Sequence, residues 1–137
     1  SAIAKQSAVE ETRCPISLPI KNQVDLQEAE NILAKAVDSS TFFNWCETVG
    51  GKDLKHHVSR LLSRIFAHTF SLQINFSGSS NKKGSTPKLA FREMKICTIL
   101  IGAVAKAHDV TENDVELRCG RWFRGSSDRD GGRKKRN

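Results

Sequence analysis

The chain has 137 residues, enough for one domain with its own core and short extensions. It carries 22 Lys+Arg against 15 Asp+Glu, and residues 118–137 hold eight of the basic residues but only two of the acidic ones. A basic end of this density attracts polyanions, either nucleic acid or an anionic membrane. No run of about eighteen apolar residues is present, so no membrane-spanning helix is predicted. The basic segment has only two large apolar residues, so no membrane partner is predicted either.

Residues 1–13 are predicted to be a linker ahead of the domain. The next ten residues, CPISLPIKNQ, contain two prolines and place Ile16, Leu18 and Ile20 in alternation. Proline biases the preceding residue toward extended conformations, and alternation is typical of an extended segment with one apolar side. We therefore expect an ordered, extended N-terminal arm that lies along the domain.

Two helices are predicted next. Residues 24–37 have the spacing of an amphipathic helix, with acidic residues in the first turn, where the helix dipole favours them. A second, shorter helix is predicted to begin at Ser39 or Ser40, because serine caps helix N-termini. It should end at Gly50 and Gly51, because glycine accepts the positive φ of a helix C-cap.

The third helix is predicted to run from about Asp53 to Leu72. Its apolar residues recur at helical spacing and comprise Leu54, Val58, Leu61, Leu62, Ile65, Phe66 and Thr69. Its other face carries Lys55, His56, Arg60 and Arg64, which we interpret as solvated helix surface.

Residues 77–88, SGSSNKKGSTPK, are predicted to be a mobile loop because glycine, proline and small polar residues dominate them. Lys82 and Lys83 in this loop are candidates for non-specific phosphate contacts. No strand is predicted outside the arm. Residues 91–107 are predicted to form a fourth helix that is apolar almost all round from Ile96 to Ala105, a pattern typical of the centre of a bundle.

A fifth helix is predicted to begin at Thr111, because Thr111 and Asp114 have the spacing of a capping box. One side carries Val115, Cys119, Trp122 and Phe123, and the other side largely carries Arg118, Arg121 and Arg124. The two aromatic residues should anchor this segment on the core. Gly120 leaves open whether the helix ends there, since glycine inside a helix costs about 1 kcal/mol relative to alanine.

These segments predict an all-α fold, a compact bundle of about five helices over residues 14–125 followed by a flexible basic tail over residues 126–137. The four cysteines are far apart, with no C-x-x-C pair, which indicates reduced thiols that fill the core as small apolar groups. A zinc site would require long-range assembly with the histidines, so neither a metal nor another cofactor is predicted. The cysteines are Cys14, Cys46, Cys97 and Cys119, and the histidines are His56, His57, His68 and His108.

Six short motifs occur in order along the chain: LPIK, DLQEAENILA, GGKDL, VSRLLSRIFAHTF, NFSG and FREMKICTILIGAV. Their order resembles an uncharacterised family of animal domains of unknown function, found in insect, fish and transposon-associated proteins. That family is in turn similar to the BEN domain, a helical DNA-binding and protein-interaction module of chromatin regulators. The resemblance to the family of unknown function covers roughly residues 18–107.

The resemblance implies a nuclear protein in transcription or chromatin regulation that reads DNA with a C-terminal helix and adjacent loops. Carried over by position, that element corresponds to Arg118, Arg121, Arg124 and the run at residues 133–136. The chain departs from the BEN pattern in its long SSNKKGSTPK loop and its DRDGG segment.

Three classes of function follow from these patterns. An enzyme is not predicted, because the sequence contains no nucleophile motif, paired carboxylates or glycine-rich cofactor loop. Double-stranded DNA is the expected partner, since arginines on a helix can pair with guanine edges while other basic residues neutralise phosphates; the sequence leaves RNA open. The alternative is a protein-interaction or self-association module whose basic tail is a nuclear import signal. The predicted contact residues are Arg118, Arg121, Arg124, Arg129, Arg133, Lys134, Lys135, Arg136, Lys82 and Lys83.

Overall fold

The computed structural model describes residues 13–79, residue 84 and residues 86–126. This part of the chain is mostly helical, with only one two-stranded sheet, which confirms the all-α prediction. Its helices are α1 (Gln23–Leu33), α2 (Ala36–Val49), α3 (Leu54–Ile65), α4 (His68–Ser71), α5 (Lys95–His108) and α6 (Glu112–Arg124). A 3-10 turn covers Phe91–Glu93, and two short strands, β1 (Ile74–Asn75) and β2 (Leu89–Ala90), pair in parallel.

Helix α5 lies at the centre of the bundle, as its apolar sequence predicts. It contacts α1, α2, α3, α6 and the 3-10 turn. Its first turn lacks a side-chain cap from its own N-cap residue, Met94. The carboxylate of Glu30 on α1 instead accepts hydrogen bonds from the backbone N–H groups of Lys95 (2.8 Å) and Ile96 (3.1 Å). A residue distant in sequence therefore caps the central helix and fixes α1 against it.

The predicted boundary between the first two helices is wrong. Helix α1 ends at Leu33 rather than Val37, and α2 begins at Ala36, so Ser39 and Ser40 lie inside α2 and do not cap it. Lys35 is extended and separates the two helices. The break allows each helix to turn its own apolar side toward α5, which a single straight helix could not do. Val37 consequently points outward and is 70% exposed.

The third predicted helix is divided into α3 and α4 by the N-terminal arm. Phe66 is extended and pairs with Ile20 of the arm. Ile20 donates its N–H to Ile65 O (2.7 Å) and accepts from Ala67 N through its own carbonyl (2.9 Å). The arm thus takes the backbone groups that would have continued the helix. Ile16 and Ile20 are buried, which confirms the arm prediction.

Strands β1 and β2 flank the predicted loop and were not anticipated. Ile74 pairs with Leu89 and Asn75 with Ala90. Two residues are too few to show the alternation by which a strand is recognised in a sequence. Their pairing holds together the two ends of the segment that carries Lys82 and Lys83.

Gly50 and Gly51 end α2, each for a different physical reason. Gly50 has φ 57° and ψ −176°, a backbone conformation nearly restricted to glycine. Gly51 lies against the backbone of α3, where a Cβ added at Gly51 would be 2.5 Å from the backbone nitrogen of His57. The glycine pair therefore permits a tight passage from α2 into α3.

Candidate nucleic-acid interface

Helix α6 is a rigid element that begins with a capping box. The Thr111 hydroxyl accepts from Asp114 N (3.1 Å), and the Asp114 carboxylate accepts from Thr111 N (3.2 Å). The helix continues through Gly120 to Arg124, which resolves the question left open by the sequence. Ser126, assigned to the tail from the sequence, is also buried.

The C-terminal half of α6 is anchored by aromatic packing. Phe123 is only 4% exposed, and its ring centroid lies 5.1 Å from that of Phe91 and 6.0 Å from that of Phe66. Trp122 is half-buried and meets Phe123 edge to face at 5.1 Å. Burial of a phenylalanine side chain contributes roughly 1.5–3 kcal/mol, so this end of the helix is fixed to the domain as predicted.

The three predicted arginines of α6 lie on one solvent-facing arc. Residues in an α-helix are about 100° apart, so positions i, i+3 and i+6 step backward by about 60° and span an arc of about 120°. Arg121 lies at the middle of that arc, opposite the buried residues of α6; Arg121 and Arg124 are exposed and Arg118 is half-buried. At about 1.5 Å of rise per residue, the stripe extends about 9 Å along the helix.

None of these three guanidinium groups has a salt-bridge or hydrogen-bond partner within the residues that the structure describes. The acidic residues of α6 are in its N-terminal half. Glu112 and Glu116 lie on the side that faces Phe76 and Arg92, away from Arg121. Asp114 lies within the arc, one turn before Arg118, and its carboxylate accepts from the Thr111 N–H. The arc therefore carries three formal positive charges and one formal negative charge, a net excess of positive charge.

Leu117 is a contact candidate that the sequence reasoning missed. It lies on the same arc, between the positions of Arg121 and Arg124, and is 54% exposed. Helical spacing alone places Leu117 on the side of α6 opposite the buried residues, so the sequence was sufficient to identify it. An apolar group among arginines can contact the methyl group of thymine or an apolar side chain of a protein.

The charged face of α3 is only partly the solvated surface that the sequence predicts. Lys55 and Arg64 are exposed. Arg60, however, donates from Nη2 to Val49 O (3.2 Å) at the end of α2, and His56 Nδ1 accepts from Lys52 N (3.1 Å). Two of the four polar residues therefore hold the α2–α3 connection in place.

The cysteines are free thiols in the core, as predicted. Cys46, Cys97 and Cys119 are buried and Cys14 is half-buried. Burial raises the pKa of Cys14 to about 11 and that of Cys97 to about 12. Because the thiolate is the form that ligates metals and attacks electrophiles, these groups are poorly suited to either role at neutral pH. The described residues contain no group of three or more metal-ligating side chains.

The structure brings together only three of the predicted contact residues, those of α6. The other seven lie outside the described residues: Lys82, Lys83, Arg129, Arg133, Lys134, Lys135 and Arg136. None of the helices in the described part is long and apolar enough to cross a membrane.

No family model, no curated protein and no solved structure matches this chain. The resemblance to the BEN domain remains a prediction from the motifs.

Proposed function

We propose that this domain binds double-stranded DNA through the arginine arc of α6, defined by Arg118, Arg121 and Arg124. The observation that carries the proposal is that three arginines share one exposed side of an anchored helix without partners among the described residues. A helix of this diameter fits the major groove, where guanidinium groups pair with guanine and nearby basic residues contact phosphates.

The helix dipole accounts for part of the charge pattern of α6. Acidic residues in a first turn and basic residues in a last turn stabilise any helix. That effect falls off within the terminal turn, however, and does not require Arg118 and Arg121 to share a side with Arg124. Their common arc, together with the basic residues that follow in the sequence, favours a polyanionic partner.

The proposal extends to a nuclear role in transcription or chromatin regulation. Residues 133–136, RKKR, add four positive charges after the helix. Such a run neutralises phosphates and also has the composition of a nuclear import signal. One segment could then serve both localisation and DNA affinity.

The decisive experiment is fluorescence anisotropy with a labelled random-sequence duplex at several salt concentrations. Replacing Arg118, Arg121 and Arg124 together by glutamine should weaken binding. If each arginine contacts a phosphate, the slope of log K against log salt should become shallower by about 2.7. The matched control replaces exposed Lys21, Lys35 and Lys95 by glutamine, which removes the same charge from other elements. Equal losses in the two triple variants would refute a specific role for α6.

Selection of bound sequences from a random duplex pool then separates base recognition from phosphate contact. Enrichment of a motif that the triple α6 variant loses indicates base contacts, and retention without enrichment indicates phosphate contacts. Stronger competition by single-stranded RNA would assign the domain to RNA. No binding to either nucleic acid would favour the alternative, a protein-interaction or self-association module, with Leu117 as the first residue to substitute.

A further inference from the structure

His57 is a buried titratable residue that the proposed function does not use. It lies on α3, is 0% exposed, and sits where α3 meets α2 and α5. Its Nε2 is 2.8 Å from Cys46 O on α2, and its Nδ1 is 3.0 Å from His108 Nε2 on α5. The two imidazole rings have centroids 5.1 Å apart and are tilted by 60°. One ring thus connects three helices.

The hydrogen bonds define which nitrogen carries each proton. A carbonyl oxygen can only accept, so His57 Nε2 carries the hydrogen that is donated to Cys46 O. Nδ1 of the neutral ring is then an acceptor, and His108 donates to it from Nε2–H. A proton added to Nδ1 of His108 leaves both bonds intact, whereas a proton added to Nδ1 of His57 keeps the bond between the rings only if His108 changes to its Nδ1–H tautomer and accepts at Nε2.

The surroundings of His57 oppose its protonation. Burial lowers the pKa of His57, the bond to the Cys46 carbonyl raises it in part, and electrostatic repulsion from the side chains of His108, Arg60 and His56 lowers it further. Glu47, the residue that follows Cys46 on α2, forms a salt bridge with Lys106 of α5 (3.5 Å). Gly51 lies close to the His57 backbone, since a Cβ added at Gly51 would be 2.5 Å from the backbone nitrogen of His57.

We propose that the His57–His108 pair is a proton-operated latch that holds α3 against α2 and α5 and opens when His57 accepts a second ring proton. In the neutral state both ring nitrogens are satisfied and the junction is closed. Protonation of His57 places a charge at a site with no exposed surface, and it requires His108 to change tautomer before the two rings can bond again; both changes disfavour the closed state.

The direction of the pH dependence follows from linkage. The folded pKa of His57 lies below its ordinary value of about 6.5, so the unfolded or opened state binds more protons in the interval between the two. The stabilisation is complete above about pH 6.5 and is lost as the pH falls below it. A single group of this kind increases the opening constant by up to about tenfold per pH unit.

Hydrogen exchange of the full chain between pH 7.0 and 5.5, corrected for intrinsic rates, measures this opening constant for amides of α3. We expect the constant to rise as the pH falls in the wild-type chain. His57→Gln should abolish the rise, because a glutamine amide can still donate to Cys46 O but does not titrate. His108→Gln should retain the rise, because a glutamine amide can still donate to His57. His56→Gln, a substitution at the neighbouring position, should also retain it.

An NMR titration of the wild-type imidazole groups keeps the test decisive if a variant does not fold. The proposal requires His57 to be the Nε2–H tautomer at pH 7 and to titrate with a midpoint below 6.5. It is overturned if His57 titrates at or above 6.5, if His57→Gln keeps the full pH dependence, or if His108→Gln alone removes it.

Discussion

Replacing Gly51 by alanine should destabilise the domain strongly, although the added methyl group is small. The new Cβ would lie 2.5 Å from the nitrogen and 2.6 Å from the Cα of His57, both backbone atoms of α3. An ordinary contact of 3.4 Å requires a displacement of about 0.9 Å. A movement of this size at His57 would also disturb its 2.8 Å bond to Cys46 O.

The magnitude follows from those two effects. Overpacking a tight site costs about 1–3 kcal/mol, and a weakened buried hydrogen bond adds about 1 kcal/mol. We therefore expect Gly51→Ala to lower the free energy of unfolding by about 2–4 kcal/mol. For a domain of this size, that change corresponds to a melting temperature lower by roughly 8–16 °C. Urea denaturation followed by circular dichroism measures the free energy directly.

Gly120→Ala is the matched control, because the same methyl group enters a helix with room for it. Its Cβ would be 3.4 Å from Arg124 Nη1 and 3.8 Å from Phe76 Cβ, which are ordinary contacts. Alanine should therefore raise the free energy of unfolding by roughly 0.5–1 kcal/mol through helix propensity alone. If Gly51→Ala costs less than about 0.5 kcal/mol, or if both substitutions destabilise equally, the reasoning from close backbone approach is refuted.

Three further predictions concern the contacts that hold the helices. Phe123→Ala should lower the free energy of unfolding by about 3–5 kcal/mol in urea denaturation; a loss below about 1 kcal/mol would contradict the aromatic anchor of α6. Glu30→Ala should cost about 1–2 kcal/mol, because it removes the acceptor for two N–H groups of α5, whereas Glu30→Gln should retain part of that stability. Cys14, half-buried with a pKa of about 11, should react slowly with a thiol reagent at pH 8, while the three buried cysteines should react only on unfolding; rapid native labelling of Cys97 would argue against its burial.

Local patterns were sufficient where a helix is determined by its own residues. The capping box of Thr111 and Asp114 and the inward side of α6 were predicted correctly from spacing. The apolar α5 was also predicted, but it begins at Lys95 rather than at residue 91, which lies in a 3-10 turn. The breaks at Lys35 and Phe66 were not, because the helical pattern continues through both positions and only tertiary contacts interrupt it. Phe66 leaves the helix to pair with Ile20, a residue more than forty positions away.

The same distinction applies to individual polar residues. Arg118, Arg121 and Arg124 could be placed on the outer side of their helix because outward-facing arginines follow from the periodicity. The pairing of His57 with His108 could not be predicted, since it joins positions 51 residues apart. A local signal did exist: His57 follows Leu54 by three residues and precedes Leu61 by four, so it occupies a core position on α3.

The parallel pair of β1 and β2 also makes the segment between them a suitable place for insertions. Because Ile74–Leu89 and Asn75–Ala90 fix its two ends, a longer segment would change mainly the entropy of loop closure, and doubling its length costs only about 0.6 kcal/mol. A fluorescent or affinity peptide inserted after residue 84 would leave the arginine arc of α6 and the bundle core intact.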